Sequence, residues 1–172
     1  MKALHIKFST IVGVESRLFK ENSYVRDNSI ITEMSVIGYW APGQIPSEEI
    51  NGLKIYRKRL MHTLLLQRGF YKRGTFIKKI FILFGVFSFF IFCLVKILKL
   101  KPDFVCMHNV ELTPLAFLVS FIKRINLIYL PHELESKKEG RSKKYNLLMN
   151  FLESKFIHLF KDIACVCEPI SE

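Results

Sequence analysis

Leu4, Ile6 and Phe8 alternate with His5 and Lys7, the period-two signature of a strand, so a first strand is expected over Ala3 to Phe8. The same alternation breaks up any continuous apolar run, so no signal peptide is expected at this end. A polar, helix-permissive stretch follows from Glu15 to Arg26. Further apolar, β-rich runs predict strands at Met34 to Tyr39, Leu53 to Arg57, Phe104 to Met107, Asn126 to Leu130 and Ile163 to Val166. Between Tyr39 and Glu49 the prolines and Gly43 require a turn, and Asn51-Gly52 supplies another just before Leu53.

Helices are expected over Ile77 to Leu100, stopped by Pro102 and Asp103, and over Glu111 to Ile125 with Pro114 in the first turn. A third helix carries Leu148, Phe151, Leu152 and Leu159 at helical spacing. Strands alternating with helices predict an α/β chain with a doubly wound parallel sheet. At 172 residues, one domain is expected.

Charge changes this picture locally. The net charge is +11, and twelve of the 26 basic residues lie between Leu53 and Pro102, a stretch without Asp or Glu. These cations bracket an apolar run and do not interleave with aromatics, so nucleic acid is not the expected partner. The uncharged run Ile80 to Val95 is about 24 Å long as a helix, short of the ~30 Å hydrocarbon core. Its flanking strands should also join one sheet, which a single membrane crossing would prevent. The expectation is an interfacial helix at about 77–100, with Phe81, Phe84, Phe87, Phe89, Phe90 and Phe92 in the apolar layer and Lys78, Lys79, Lys96 and Lys99 on anionic lipid. The alternative is a crossover helix packed on the sheet. Cys93, Cys106, Cys165 and Cys167 show no disulfide framework and read as reduced thiols, so a cytoplasmic protein on the inner membrane face is expected.

Candidate chemistry collects at the ends of the expected strands. His132 follows the Asn126 strand at its carboxyl end, where open α/β sheets bind ligands, and could bond a ligand there or sit in a loop on local hydrogen bonds. Glu133 could orient it, bind ligand hydroxyls, or be solvated. Arg17 and Lys20 lie near a helix N-terminus suited to phosphate, or form a solvent-facing charged surface. His108 and Glu111 are three apart, but no further ligand stands at a useful spacing, so strand-end cleft contacts are expected and no metal.

Five segments in order resemble the N-terminal domain of family 4 glycosyltransferases of the GT-B fold. They are Glu15-Ser16-Arg17-Leu18-Phe19-Lys20-Glu21, Asn51 to Arg57, Leu98-Lys99-Leu100-Lys101-Pro102-Asp103-Phe104-Val105, His108-Asn109 with Pro114, and Ile128-Tyr129-Leu130-Pro131-His132-Glu133-Leu134. Asn109 stands where the family pattern has Asp, and Gly13 is the one glycine kept after the first strand. The resemblance implies a Rossmann-like half of a GT-B fold that transfers a sugar from a nucleotide-activated donor, as substrate and without a bound cofactor, to a membrane-associated glycan or lipid acceptor, with retention. It implies His132 as catalytic residue, with His108, Asn109, Glu133, Gly13, Arg17 and Lys20 as acceptor or cleft contacts. The donor-domain motif has no counterpart in 1–172, so a chain cut before the C-terminal donor domain is expected, inactive alone. The alternative is a non-catalytic fragment that binds membrane or acceptor.

Overall fold

In the computed structural model, which describes residues 1–11, 31–60, 76–122, 125–131 and 143–164, β1 (Lys2–Ile11) is the centre of a seven-stranded sheet. Its neighbours are β2 (Glu33–Tyr39) on one side and β5 (Phe104–Met107) on the other, both parallel. The sheet continues outward through β4 (Leu53–Lys58) beyond β2, and through β6 (Asn126–Tyr129) and β7 (Asp162–Ile163) beyond β5, all parallel. β3 (Ser47–Ile50) closes the β4 edge in the antiparallel sense. The full order is β3-β4-β2-β1-β5-β6-β7. Without β3, the six parallel strands run third, second, first, fourth, fifth, sixth, the order of Rossmann-like sheets, with the direction of winding reversing between β1 and β5.

The fold is thus α/β with a mostly parallel sheet. The expected all-parallel sheet needs one correction, because Ser47 to Ile50 is a strand and not simply part of a turning segment. Its alternating exposed and half-buried residues include Glu48 and Glu49. A charged edge strand lacks the apolar signal of a core strand and guards against further pairing. Asn51 and Gly52, with φ of 52° and 76°, form the two-residue turn that makes β3 and β4 a hairpin.

Three helices lie among the described residues, and all belong to one side of the sheet. Leu4, Ile6, Ile37, Val105 and Met107 point into a core shared with Phe89, Cys93 and Ile97 of α1 (Phe76–Leu100) and with Leu115 and Val119 of α2 (Thr113–Ser120). α3 (Lys143–Phe156) adjoins α2 and reaches the sheet where Tyr129 Oη donates to Glu153 Oε1 at 3.1 Å. The opposite face carries a smaller apolar cluster of Met34, Val36, Leu53 and Ile55. It also carries the buried polar residues His5, Lys7, Arg57 and His108.

Local chemistry explains the element ends. α1 stops where Lys101 takes a φ of 48° and its N–H returns to Ile97 O at 2.9 Å; the following Pro102 disfavours helical geometry at that residue. α2 ends at Ser120, short of Ile125, because Ile122 N–H bonds Val119 O in a tightened last turn. On α3, Met149 is buried while Leu148 and Phe151 are exposed, so the apolar stripe expected over Leu148 and Phe151 is not the core face. The expected helix over Glu15 to Arg26 lies outside the described residues, as does the end of the last expected strand.

Candidate functional site

The winding reverses between β1 and β5, and at the carboxyl ends of the strands beside such a reversal these sheets form their ligand crevice. His108 immediately follows β5, and its N–H continues the ladder to Ile6 O at 3.2 Å. His5 Nδ1 and His108 Nε2 are 2.9 Å apart, and the rings stack with centroids 5.1 Å apart. One imidazole donates and the other accepts. This places His108 inward, at 3% exposure, on the sheet face away from the three described helices. The cause is strand alternation: His108 falls on the same sheet face as His5, whose register partner is Cys106.

Asn109 is next, and its side-chain Oδ1 accepts from Phe8 N–H at 2.9 Å. The asparagine side chain thus bonds β1 just beyond the last backbone pairing with β5, and is spent on backbone. Asn109 also stands at the entrance of the helical turn Val110–Leu112, where its extended φ and ψ of −130° and 142° aim the chain into α2. Glu111 in that turn receives the Tyr145 hydroxyl on Oε1 at 2.6 Å, while its buried Oε2 has no hydrogen-bond partner among the described residues. His108 and Glu111 therefore serve different partners. Among the described residues no three His, Cys, Asp or Glu side chains converge as a metal site.

Tyr39, at the end of β2, stacks edge-on with Phe8 and Phe89. Burial, then the nearby Glu111 and Cys93, push its phenol well above the ordinary range, so it remains a neutral hydroxyl. Lys7, 3% exposed, and Arg57 add buried cations on the His5 face. Arg57 pairs with Glu48 and donates to Ile45 O at 2.7 Å, which ties the 40–46 loop and β3 to the sheet. His5, Lys7 and Tyr39 were not anticipated as site residues, whereas Glu111 was expected with His108 at the strand ends. The signal for His5 and Lys7 was there, as polar side chains inside a central strand buried on both faces. Gly13, Arg17, Lys20, His132 and Glu133 lie outside the described residues.

No protein-family model matches the chain, and no curated protein matches it. The resemblance to glycosyltransferases therefore rests on the motifs.

The expected membrane residues divide sharply on α1. Phe89 is fully buried against Phe8 and Tyr39, which corrects its place in an apolar lipid layer; Phe90 and Phe92 are half-buried against the same core. Phe84 and Phe87 are 59% and 61% exposed, and Phe81 is half-buried. Lys79 and Lys99 are exposed, whereas Lys96 lies 3.7 Å from the centre of the Tyr56 ring, and the Lys78 side chain lies outside the description. Burial first, and then neighbouring Lys99, lower the Lys96 pKa. By length and composition Lys79–Leu100 could cross a bilayer. Its buried face on the sheet and its role linking β4 to β5 instead make it a crossover helix with an apolar outer surface.

Proposed function

We propose that this chain is the acceptor-side half of a GT-B, family 4 glycosyltransferase, moving a sugar from a nucleotide-activated donor to a membrane-associated glycan or lipid with retention. The observation that carries the reading is the position of the His108-Asn109 element. It closes the strand beside the winding reversal, where a ligand crevice belongs, and it is one of five motifs in family order. Tyr39 and Glu111 add a neutral hydroxyl and a carboxylate near the strand ends on the helix side of the sheet, and Lys7 a cation on the opposite face, groups suited to sugar hydroxyls and phosphate.

The acceptor reaches this site at a membrane. On the outer side of α1, Leu83, Phe84, Phe87 and Ile91 are exposed beside Lys79 and Lys99, with no acid on the helix. Apolar burial and attraction of about 1 kcal/mol per surface-proximal lysine favour an anionic bilayer. The protein is peripheral, on the cytoplasmic face, and the nucleotide sugar is held by a donor domain.

The test is saturation-transfer NMR of the 172-residue chain with lipid-linked saccharides and nucleotide sugars, followed by a transfer assay with a donor domain joined on. Expected are weak acceptor binding by this chain, little nucleotide binding, and transfer only in the joined enzyme. Acceptor binding without transfer in any joined form would favour a non-catalytic acceptor-binding fragment. Neither binding nor transfer would end the reading.

A further inference from the structure

The apolar outer surface does not stop at α1. On α2, Phe117 and Leu118 are exposed and Phe121, just past its end, is 69% exposed; on α3, Leu147, Leu148 and Phe151 are exposed, Phe151 at 60%. Phe117 links the two helices, its ring centre 5.0 Å from Phe121 and 6.0 Å from Phe156. α1 and α2 are neighbours in one layer: Ile97 and Val119 share the core beneath them, and a depression between their ends is lined by Leu98 and Ile122. Three consecutive helices on one side of the sheet therefore turn large apolar side chains away from it. Scattered exposed apolar residues are ordinary, but large apolar side chains gathered on one side of a sheet mark a contact surface.

The charges on this layer identify the occupant. Among the described residues, the exposed charged side chains on these three helices are all lysines, Lys79 and Lys99 on α1 and Lys143, Lys144 and Lys155 on α3, while Asp103 is exposed just past the end of α1. The acids of the layer, Glu111 and Glu153, are half-buried and each receives a tyrosine hydroxyl, from Tyr145 and Tyr129. Turning the helix acids inward and the lysines outward produces a surface of apolar groups and predominantly positive charge among the described residues. That combination matches an anionic lipid bilayer, whose headgroups meet lysines while its acyl region takes the phenylalanines.

We propose that the entire helix layer, α2 and α3 as well as α1, is one bilayer-contact face. This rests on the membrane reading above and extends it to an orientation. The sheet lies along the membrane with its helix layer toward the lipid, and the strands run roughly parallel to the bilayer plane. The site at the carboxyl ends of β1 and β5 then opens sideways along the surface, level with lipid headgroups. A lipid-linked acceptor enters laterally without leaving its leaflet.

The test uses the full chain with single substitutions F87W, F121W or F151W, and vesicles of equal parts phosphatidylcholine and phosphatidylglycerol in which the phosphatidylcholine acyl chains are brominated. Trp40 is constant background, measured in the unsubstituted chain. Comparable loss of added emission at 87, 121 and 151 is expected, with bromide-free vesicles causing none. Loss at 87 alone would overturn the single-face proposal and leave the α1 membrane reading intact. Loss at none of the three would defeat both. Blue-shifted emission at 121 and 151 without lipid, together with sedimentation as a dimer, would assign the α2–α3 patch to a second copy and overturn the proposal.

Discussion

His5 Nδ1 and His108 Nε2 share a hydrogen bond at 2.9 Å inside the sheet, across the two strands where the winding reverses. Each ring fixes which nitrogen of the other carries a proton, since a bond between two imidazoles needs one N–H and one lone pair. His5→Phe should therefore destabilise the fold by about 1–3 kcal/mol and release the tautomer of His108. His5→Asn, whose amide can occupy the Nδ1 position, should recover much of both. Two-dimensional NMR of the imidazole nitrogens reads the tautomer and denaturant unfolding reads the stability. An unchanged His108 tautomer in His5→Phe would show that other neighbours set it.

Asn109 should act as a clamp between β1 and β5. Asn109→Ala takes away the acceptor for Phe8 N–H and should cost about 1–2 kcal/mol. Asn109→Asp keeps an acceptor oxygen and should cost less. Amide hydrogen exchange at Phe8 checks this directly, because loss of the clamp should accelerate exchange there before it affects Leu4 or Ile6.

The two sides of α1 should separate stability from binding. Phe89→Ala opens a cavity in the main core and should cost about 3–5 kcal/mol. Exposed Phe84 and Phe87, replaced together by Ser, should change stability by only about 0.5 kcal/mol yet weaken flotation with anionic vesicles. Full flotation of the Phe84→Ser, Phe87→Ser chain would remove α1 from the membrane contact.

Acid should weaken one defined corner of the sheet. Glu33 accepts from Lys54 Nζ at 2.8 Å and pairs with Lys2 at 3.3 Å, joining β2 to β4 and β1. The Lys54 bond, opposed by some desolvation and helped by Lys2, holds the Glu33 carboxyl below its ordinary 4.5. A lowered folded-state pKa means the stabilisation is fully present above the ordinary value and is lost as pH falls through the folded one. Glu33→Gln should therefore be less stable than wild type near neutrality, with the gap closing in acid. Because both lysines are largely solvated, the gap should be small and should shrink with salt.

Period-two alternation in Leu4, Ile6 and Phe8, the Asn51-Gly52 turn and the Pro102 stop are local properties of the chain, and each led to the right element near the right place. They read from sequence because strand pleat, positive φ and the missing proline N–H act within a few residues. Which side of α1 meets the sheet was not legible. That helix is apolar nearly all round, so periodicity could not separate Phe89 from Phe87, and only contact with Phe8 and Tyr39 on neighbouring strands selects it. β3 was missed for the opposite reason: its glutamates carry no core signal, and pairing with β4 is what makes Ser47–Ile50 a strand. The pairing of His5 with His108 spans 103 positions and depends on a register that only the assembled sheet sets. Local rules thus specified the elements, while non-local register and packing decided which histidines meet, which asparagine oxygen is spent on backbone, and which phenylalanines remain outside.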